Sequence, residues 1–134
     1  IKFKEWSDIY MNLKLLENKY KVVKLEPNEN IPLEKILKED IYSITRTDEE
    51  LSIVAREDVD IKSDIEEKDW RMIKIDGTLD FSLIGILSKI STILANANIS
   101  IFAISTYNTD YILLKEDKIK EAIKVLKKNG YKFI

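Results

Sequence analysis

Residues 41–58, IYSITRTDEELSIVARED, and residues 101–117, IFAISTYNTDYILLKED, decide the fold. Both run from apolar through polar to apolar and end in charge. Ile41 matches Ile101, Tyr42 matches Phe102, Ile44 matches Ile104 and Thr45 matches Ser105. Beyond the bend the offset drops by one, and Arg56-Glu57-Asp58 matches Lys115-Glu116-Asp117. Each copy reads as strand, bend, strand. A pattern that recurs within one chain implies paired units of the same construction. The bends themselves are unusual. Hairpin connections of two to five residues favour a glycine, but Ser105-Thr106-Tyr107-Asn108-Thr109-Asp110 contains none, and neither does Thr45-Arg46-Thr47-Asp48-Glu49-Glu50.

Working outward from the second copy, WRMIKIDG (70–77) alternates through Met72, Ile73 and Ile75 and stops at the turn signal Asp76-Gly77. Residues 82–97 place Leu83, Ile86, Leu87, Ile90, Ile93, Leu94 and Ala97 at steps of three and four, one apolar helical face. Asp80 or Ser82 is suited to cap its start. Strands at 99–105 and 111–115 follow. Asp117 opens a helix with Ile119, Ala122, Ile123 and Leu126 on one stripe, closed by Gly130, and YKFI (131–134) is a last short strand. The order is β-α-β-β-α-β, a ferredoxin-like split unit. Upstream of the first copy, short strands are expected near 12–16 and 20–25, with a stubby helix from Pro32. The stretch 58–69 is too polar for more than a turn in place of a second helix.

Composition sets the limits. A chain of 134 residues fits one ordinary domain or two very small ones and buries roughly two thirds of its unfolded surface. Hydrophobic residues at 45% and charged residues at 34% mark a globular chain. A net charge of -2 argues against a general nucleic-acid binder, which needs surplus Lys and Arg for phosphates. With no cysteine, disulfides, thiolate metal sites and cysteine nucleophiles are excluded; with no histidine, the usual general base and metal ligand are missing. The acidic residues Asp58, Asp60, Asp64, Glu66 and Glu67 lack the spacing of a calcium loop and read as a solvated linker. Neither a cofactor motif nor a metal site is readable, and no apolar run is long enough to span a membrane. The start, IKFKEWSDIY, has no signal-peptide core, which makes the cytoplasm the expected location. Met11 reads as a candidate start, with residues 1–10 as an N-terminal extension.

The element order, the helix entry DGTLDFSLIGILSKIS (76–91) and ISIFAISTYNTDYILL (99–114) together resemble the ACT domain. More narrowly they resemble small bacterial two-ACT proteins related to CASTOR-type arginine sensors and to aspartokinase regulatory domains. The resemblance covers roughly residues 11–134 and is strongest from 70 to 117. It implies an α+β chain of two tandem ferredoxin-like ACT units, the first abbreviated: 11–66 and 67–134. It also implies a free amino acid or similar small metabolite as ligand, held between the two units, and a homodimer as the assembly.

An amino acid carries a carboxylate and an ammonium. Free amides at a helix start suit the carboxylate, and Gly77, Asp80, Phe81 and Ser82 lie on the way into the helix, Gly77 allowing close backbone approach. An acid and hydroxyls suit the ammonium, and Asp110, Ser105 and Thr106 offer them. By resemblance Thr106, Tyr107 and Asp110 fall where the sensors hold ligand, with Thr45 and Arg46 lining the other side. Plainer roles exist for the same residues. Ser105 and Thr106 can satisfy bend amides, Asp80 and Ser82 can be caps, Phe81 can be core, and Asp110 can be a solvated turn acid. The expected function is therefore a non-catalytic regulatory module that acts through a protein partner. The alternative is an interaction or oligomerisation module with a vestigial pocket.

Overall fold

The computed structural model describes residues 12–76 and 85–134. Gly77, Asp80, Phe81, Ser82 and Leu83 lie outside the described residues. The chain divides into two compact units, one from Asn18–Trp70 and the other from its two ends, up to Glu17 and from Arg71 onward. Among the described residues the strands are β1 (Asn12–Leu25), β2 (Ser43–Arg46), β3 (Leu51–Arg56), β4 (Ile65–Asp76), β5 (Phe102–Ser105), β6 (Asp110–Lys115) and β7 (Lys132–Phe133). The helices are α1 (Leu33–Ile36), α2 (Ile86–Asn96) and α3 (Ile119–Lys128), and a 3-10 turn, Glu116–Lys118, leads into α3. This is a mixed α/β protein built on antiparallel pairing.

In the Asn18–Trp70 unit the strand order is β2-β3-β1-β4. β1 pairs with β3 from Tyr20↔Arg56 to Leu25↔Leu51, and β3 pairs with β2 from Ser43↔Val54 to Arg46↔Leu51. Cross-strand partners share a face and successive residues alternate. Val23, Ile53, Ala55 and Leu51 accordingly gather on one face under Ile36 of α1. Pro32 stands at the N-cap of α1, and its carbonyl accepts from the Lys35 and Ile36 amides.

Two expectations change here. The strands foreseen near 12–16 and 20–25 are one 14-residue strand. The polar Glu17-Asn18-Lys19 step reads as a break, yet its backbone is paired: the Glu57 amide donates to the Lys19 carbonyl at 3.1 Å, and Lys19 Nζ lies 3.2 Å from Asp69. The stretch 58–69, expected to form only a turn, is irregular as far as Asp64, but Ile65–Asp69 are the start of β4, and the segment is not a solvated linker. Val59 and Ile61 are each 5% exposed and belong to the apolar cluster, while Asp60 between them faces solvent. Alternation lets one segment be acidic outside and apolar inside.

In the other unit the order is β1-β4-β6-β5, with β7 beside β1. The last strand of a β-α-β-β-α-β unit is expected next to the first, which would be β4. Instead β7 pairs in parallel with β1, Asn12↔Lys132 and Leu13↔Phe133. The core joins Leu13, Ile73, Ile75, Ile112 and Leu114 from the strands to Ile86, Ile90 and Leu94 of α2 and Ile119, Ala122 and Leu126 of α3.

Both long helices end in the same way. Asn98 (φ 61) and Gly130 (φ 94) are left-handed, and each amide donates three residues back, to the carbonyls of Ala95 and Lys127. The following amides, of Ile99 and Tyr131, reach back to Leu94 and Leu126, which completes a Schellman motif. Ile99 is thus drawn into the helix terminus and the core, so β5 begins at Phe102 and not at Ile99. Tyr131 packs against the same core, and burial pushes its hydroxyl pKa above 10.0. Gly130→Ala is expected to lower stability by about 1–2 kcal/mol, because a Cβ disfavours the left-handed region. Asn98→Gly is expected to raise it by a few tenths of a kcal/mol to about 1. Urea denaturation of the two variants checks both signs.

Candidate functional site

The polar corner between β5 and β6 is closed by Ser105↔Asp110. Inside it, the Thr106 amide donates to the Thr109 carbonyl at 2.9 Å. The Thr106 hydroxyl donates to the same carbonyl at 2.9 Å and accepts from the Thr109 amide at 3.2 Å. The loop therefore uses the Thr106 hydroxyl to hold its own shape. Thr109, only 3% exposed, donates its hydroxyl to the Ile75 carbonyl and so ties the corner to the end of β4. Thr109 is not among the site residues expected from the sequence; the available signal is a hydroxyl placed directly before the strand.

Facing decides what the corner can present. Ser105 lies opposite Asp110, so the two side chains share a face, and alternation puts Ile112 and Leu114 on it too. That is the face packed against α2 and α3. Asp110 is half-buried there, and among the described residues no hydrogen bond or ion pair engages its carboxylate. Tyr107 is 91% exposed at the tip, so its ring lines no cavity of this unit. Helix α2 starts after Gly85, which is left-handed (φ 84) and makes no side-chain cap bond. Its N-cap is thus a residue other than the Asp80 or Ser82 suggested by the sequence.

The corner between β2 and β3 has the same construction. It is closed by Arg46↔Leu51, and the Thr47 amide donates to the Glu50 carbonyl at 2.9 Å. The two closing pairs are 59 residues apart on both sides of the bend. Arg46 therefore corresponds to Ser105, Thr47 to Thr106 and Leu51 to Asp110. The shift in offset read from the sequence is absent, and Ile44 matches Ala103 instead of Ile104. Both of these sit on the helix-facing side, whereas Ile104 lies on the other. Thr45 and Arg46 are neighbours in one strand and point to opposite faces, so they do not line one wall together. Arg46 Nε donates to the Pro27 carbonyl and Nη2 to Asn28 Oδ1, each at 3.0 Å.

The surface has other features that were not foreseen. A cleft of about 360 Å³ is lined by Lys24, Glu29, Lys62 and Asp64 and by none of the expected site residues. Lys21 is 5% exposed within the Asn18–Trp70 unit, its Nζ 4.0 Å from Glu66. Burial is the main reason the Tyr20 hydroxyl pKa rises above 10.0. Among the described residues no group of three or more Asp or Glu could hold a metal ion, and no helix is long and apolar enough to cross a membrane.

The fold and its pair of polar corners can be compared with those of known proteins. Residues 65–128 belong to the ACT domain family: a family model described as ACT domain matches them, and a model of an N-terminal domain matches residues 18–64. Over 60 residues, 44% of the chain, it is 45% identical to the Homo sapiens protein named cytosolic arginine sensor for mTORC1 subunit 1. The match takes in 18% of that protein, so the chain spans under a fifth of the length of the curated relatives it matches. The crystal structure of protein Atu0741 from Agobacterium tumefaciens is similar over 94% of this chain and 93% of its own, at 30% identity and a TM-score of 0.84. The ligand-free regulatory subunit of aspartate kinase from Thermus thermophilus shares the fold, with a TM-score of 0.60 over 87% of this chain and 95% of its own, at 10% identity.

Proposed function

We propose that the chain is a non-catalytic regulatory module, two ferredoxin-like ACT units with the first abbreviated, that binds a free amino acid or similar small metabolite at the β5–β6 corner. The observation that carries this reading is Asp110. A half-buried acid on the helix-facing side of a sheet, at a position where the companion hairpin has the buried Leu51, is an unfavourable place for a carboxylate unless a cation joins it. An ammonium group answers that need. The α2 start, which lacks a side-chain cap, supports a nearby place for the carboxylate. The likeness to a protein named an arginine sensor and to a kinase regulatory subunit supports the class of ligand. The reading extends to a homodimer in the cytoplasm with a protein partner.

The test is thermal denaturation against each free amino acid. A true ligand at 100 times its dissociation constant adds about 2.7 kcal/mol and raises the melting point. Light scattering on the same samples reports the assembly, twice the chain mass being the expected result. A second reading is favoured by the fully exposed Tyr107, an aromatic suited to a protein contact. In that reading the chain is an interaction module with a vestigial pocket, and no amino acid shifts the melting point.

A further inference from the structure

The two corners share a ladder register and differ in what closes them. At the β5–β6 corner the closing pair is Ser105 and Asp110, a short hydroxyl and an acid. At the β2–β3 corner it is Arg46 and Leu51. Leu51 is 5% exposed and part of the apolar cluster, so the position that carries Asp110 in the other corner is apolar here. Arg46 fills the polar role from within. Its guanidinium extends from the end of β2 to the connection between β1 and α1, where Nε donates to the Pro27 carbonyl and Nη2 to Asn28 Oδ1, each at 3.0 Å. That connection turns through the Glu29 amide, which donates to the Glu26 carbonyl at 3.1 Å. In the repeat it corresponds to the connection that leads from β4 into α2.

We infer that Arg46 is an internal occupant: at the β2–β3 corner the chain's own guanidinium takes the place that a small molecule takes at the β5–β6 corner, so each chain holds one ligand and not two. The single-ligand part rests on the function proposed above; the hold of Arg46 on the connection does not. A guanidinium suits the task because its planar fork reaches two acceptors at fixed spacing, which a lysine ammonium cannot reproduce. Its fixed positive charge also repels the ammonium of an incoming amino acid.

The first measurement needs no ligand. Amide hydrogen exchange is followed by NMR in the whole chain and in its Arg46→Ser and Arg46→Lys variants. Hydrogen bonds from a charged donor are worth enough, after discounting for exposure, to change local opening about five- to tenfold. The Glu29 amide is therefore expected to exchange about five to ten times faster in both variants. Exchange unchanged in both would overturn the inference. The second measurement is calorimetric titration of the unmodified chain with the amino acid that gives the largest thermal shift. One molecule per chain is expected, and two equivalent sites would overturn the inference even if exchange responds. If no amino acid shifts the melting point, the proposed function and the single-ligand clause both fail, and the exchange result alone decides whether Arg46 holds the connection.

Discussion

Asp110→Ala is expected to weaken amino-acid binding by roughly ten- to a hundredfold. A hydrogen bond to a charged group is worth about 1.5–3 kcal/mol, and each 1.4 kcal/mol is about tenfold in affinity. Stability without ligand should behave differently. The carboxylate shares its face with Ile112 and Leu114 and makes no ion pair among the described residues, so its removal takes away little that holds the fold. Asp110→Leu sharpens the comparison by writing in the residue that the companion corner carries at Leu51. It should abolish binding while leaving the ligand-free melting point unchanged or higher. Calorimetric titration and thermal denaturation of the two variants provide the check. Equal affinity in Asp110→Ala and the unmodified chain would remove Asp110 from the binding site. A melting point that collapses without ligand would make it a structural residue.

Leu114→Ala should cost about 2–5 kcal/mol, the transfer free energy of the lost atoms plus the cavity left behind. Leu114 is fully buried, on β6, in the cluster that joins the strands to α2 and α3. Against a typical stability of about 5–15 kcal/mol this removes a large share. Urea denaturation should show a much lower midpoint with an unchanged slope. Leu33→Ala is the control: Leu33 is 46% exposed on α1, and its loss should stay within about 0.5 kcal/mol. A Leu114→Ala variant as stable as the control would mean that the β6 core is not packed as described.

Much of this architecture was legible in the sequence because period and punctuation agreed. The apolar steps from Ile86 to Leu94 and from Ile119 to Leu126 name their helices, and Gly130 marks a terminus that proves to be a full Schellman motif. Alternation at Met72, Ile73 and Ile75 names the second half of β4 and the internal repeat names β3 and β6, whereas the polar start of β4, Ile65–Asp69, reads as a turn. What stayed hidden depends on pairing, which one strand alone does not reveal. Glu17-Asn18-Lys19 looks like a break until Glu57 and Asp69 supply partners. The equivalence of Arg46 and Ser105 is visible only in the ladder, because matching Ile44 to Ile104 by type gives a plausible alignment with the wrong facing. At the candidate site the sequence brings Ser105 and Asp110 to one corner, and the structure places them on one face. It could not show that Thr106 is engaged by its own loop or that Thr109, buried, anchors the corner to Ile75.

The parallel pairing of β7 with β1 has a consequence for how the chain is made. Leu13 and Phe133 are partners, and the Ile134 amide donates to the Leu13 carbonyl at 2.9 Å. A ribosome releases Leu13 long before Phe133. Residues 18–70 have every strand of their own unit in hand early in synthesis, since its last strand is entered at Ile65, and domains generally fold as units in order of emergence. The other unit must keep the start of β1 waiting until Lys132 and Phe133 have emerged. During that interval Leu13, fully buried in the finished protein, remains exposed beside an open sheet edge. Until then the nascent chain is open to aggregation, and to chaperone capture, at Leu13.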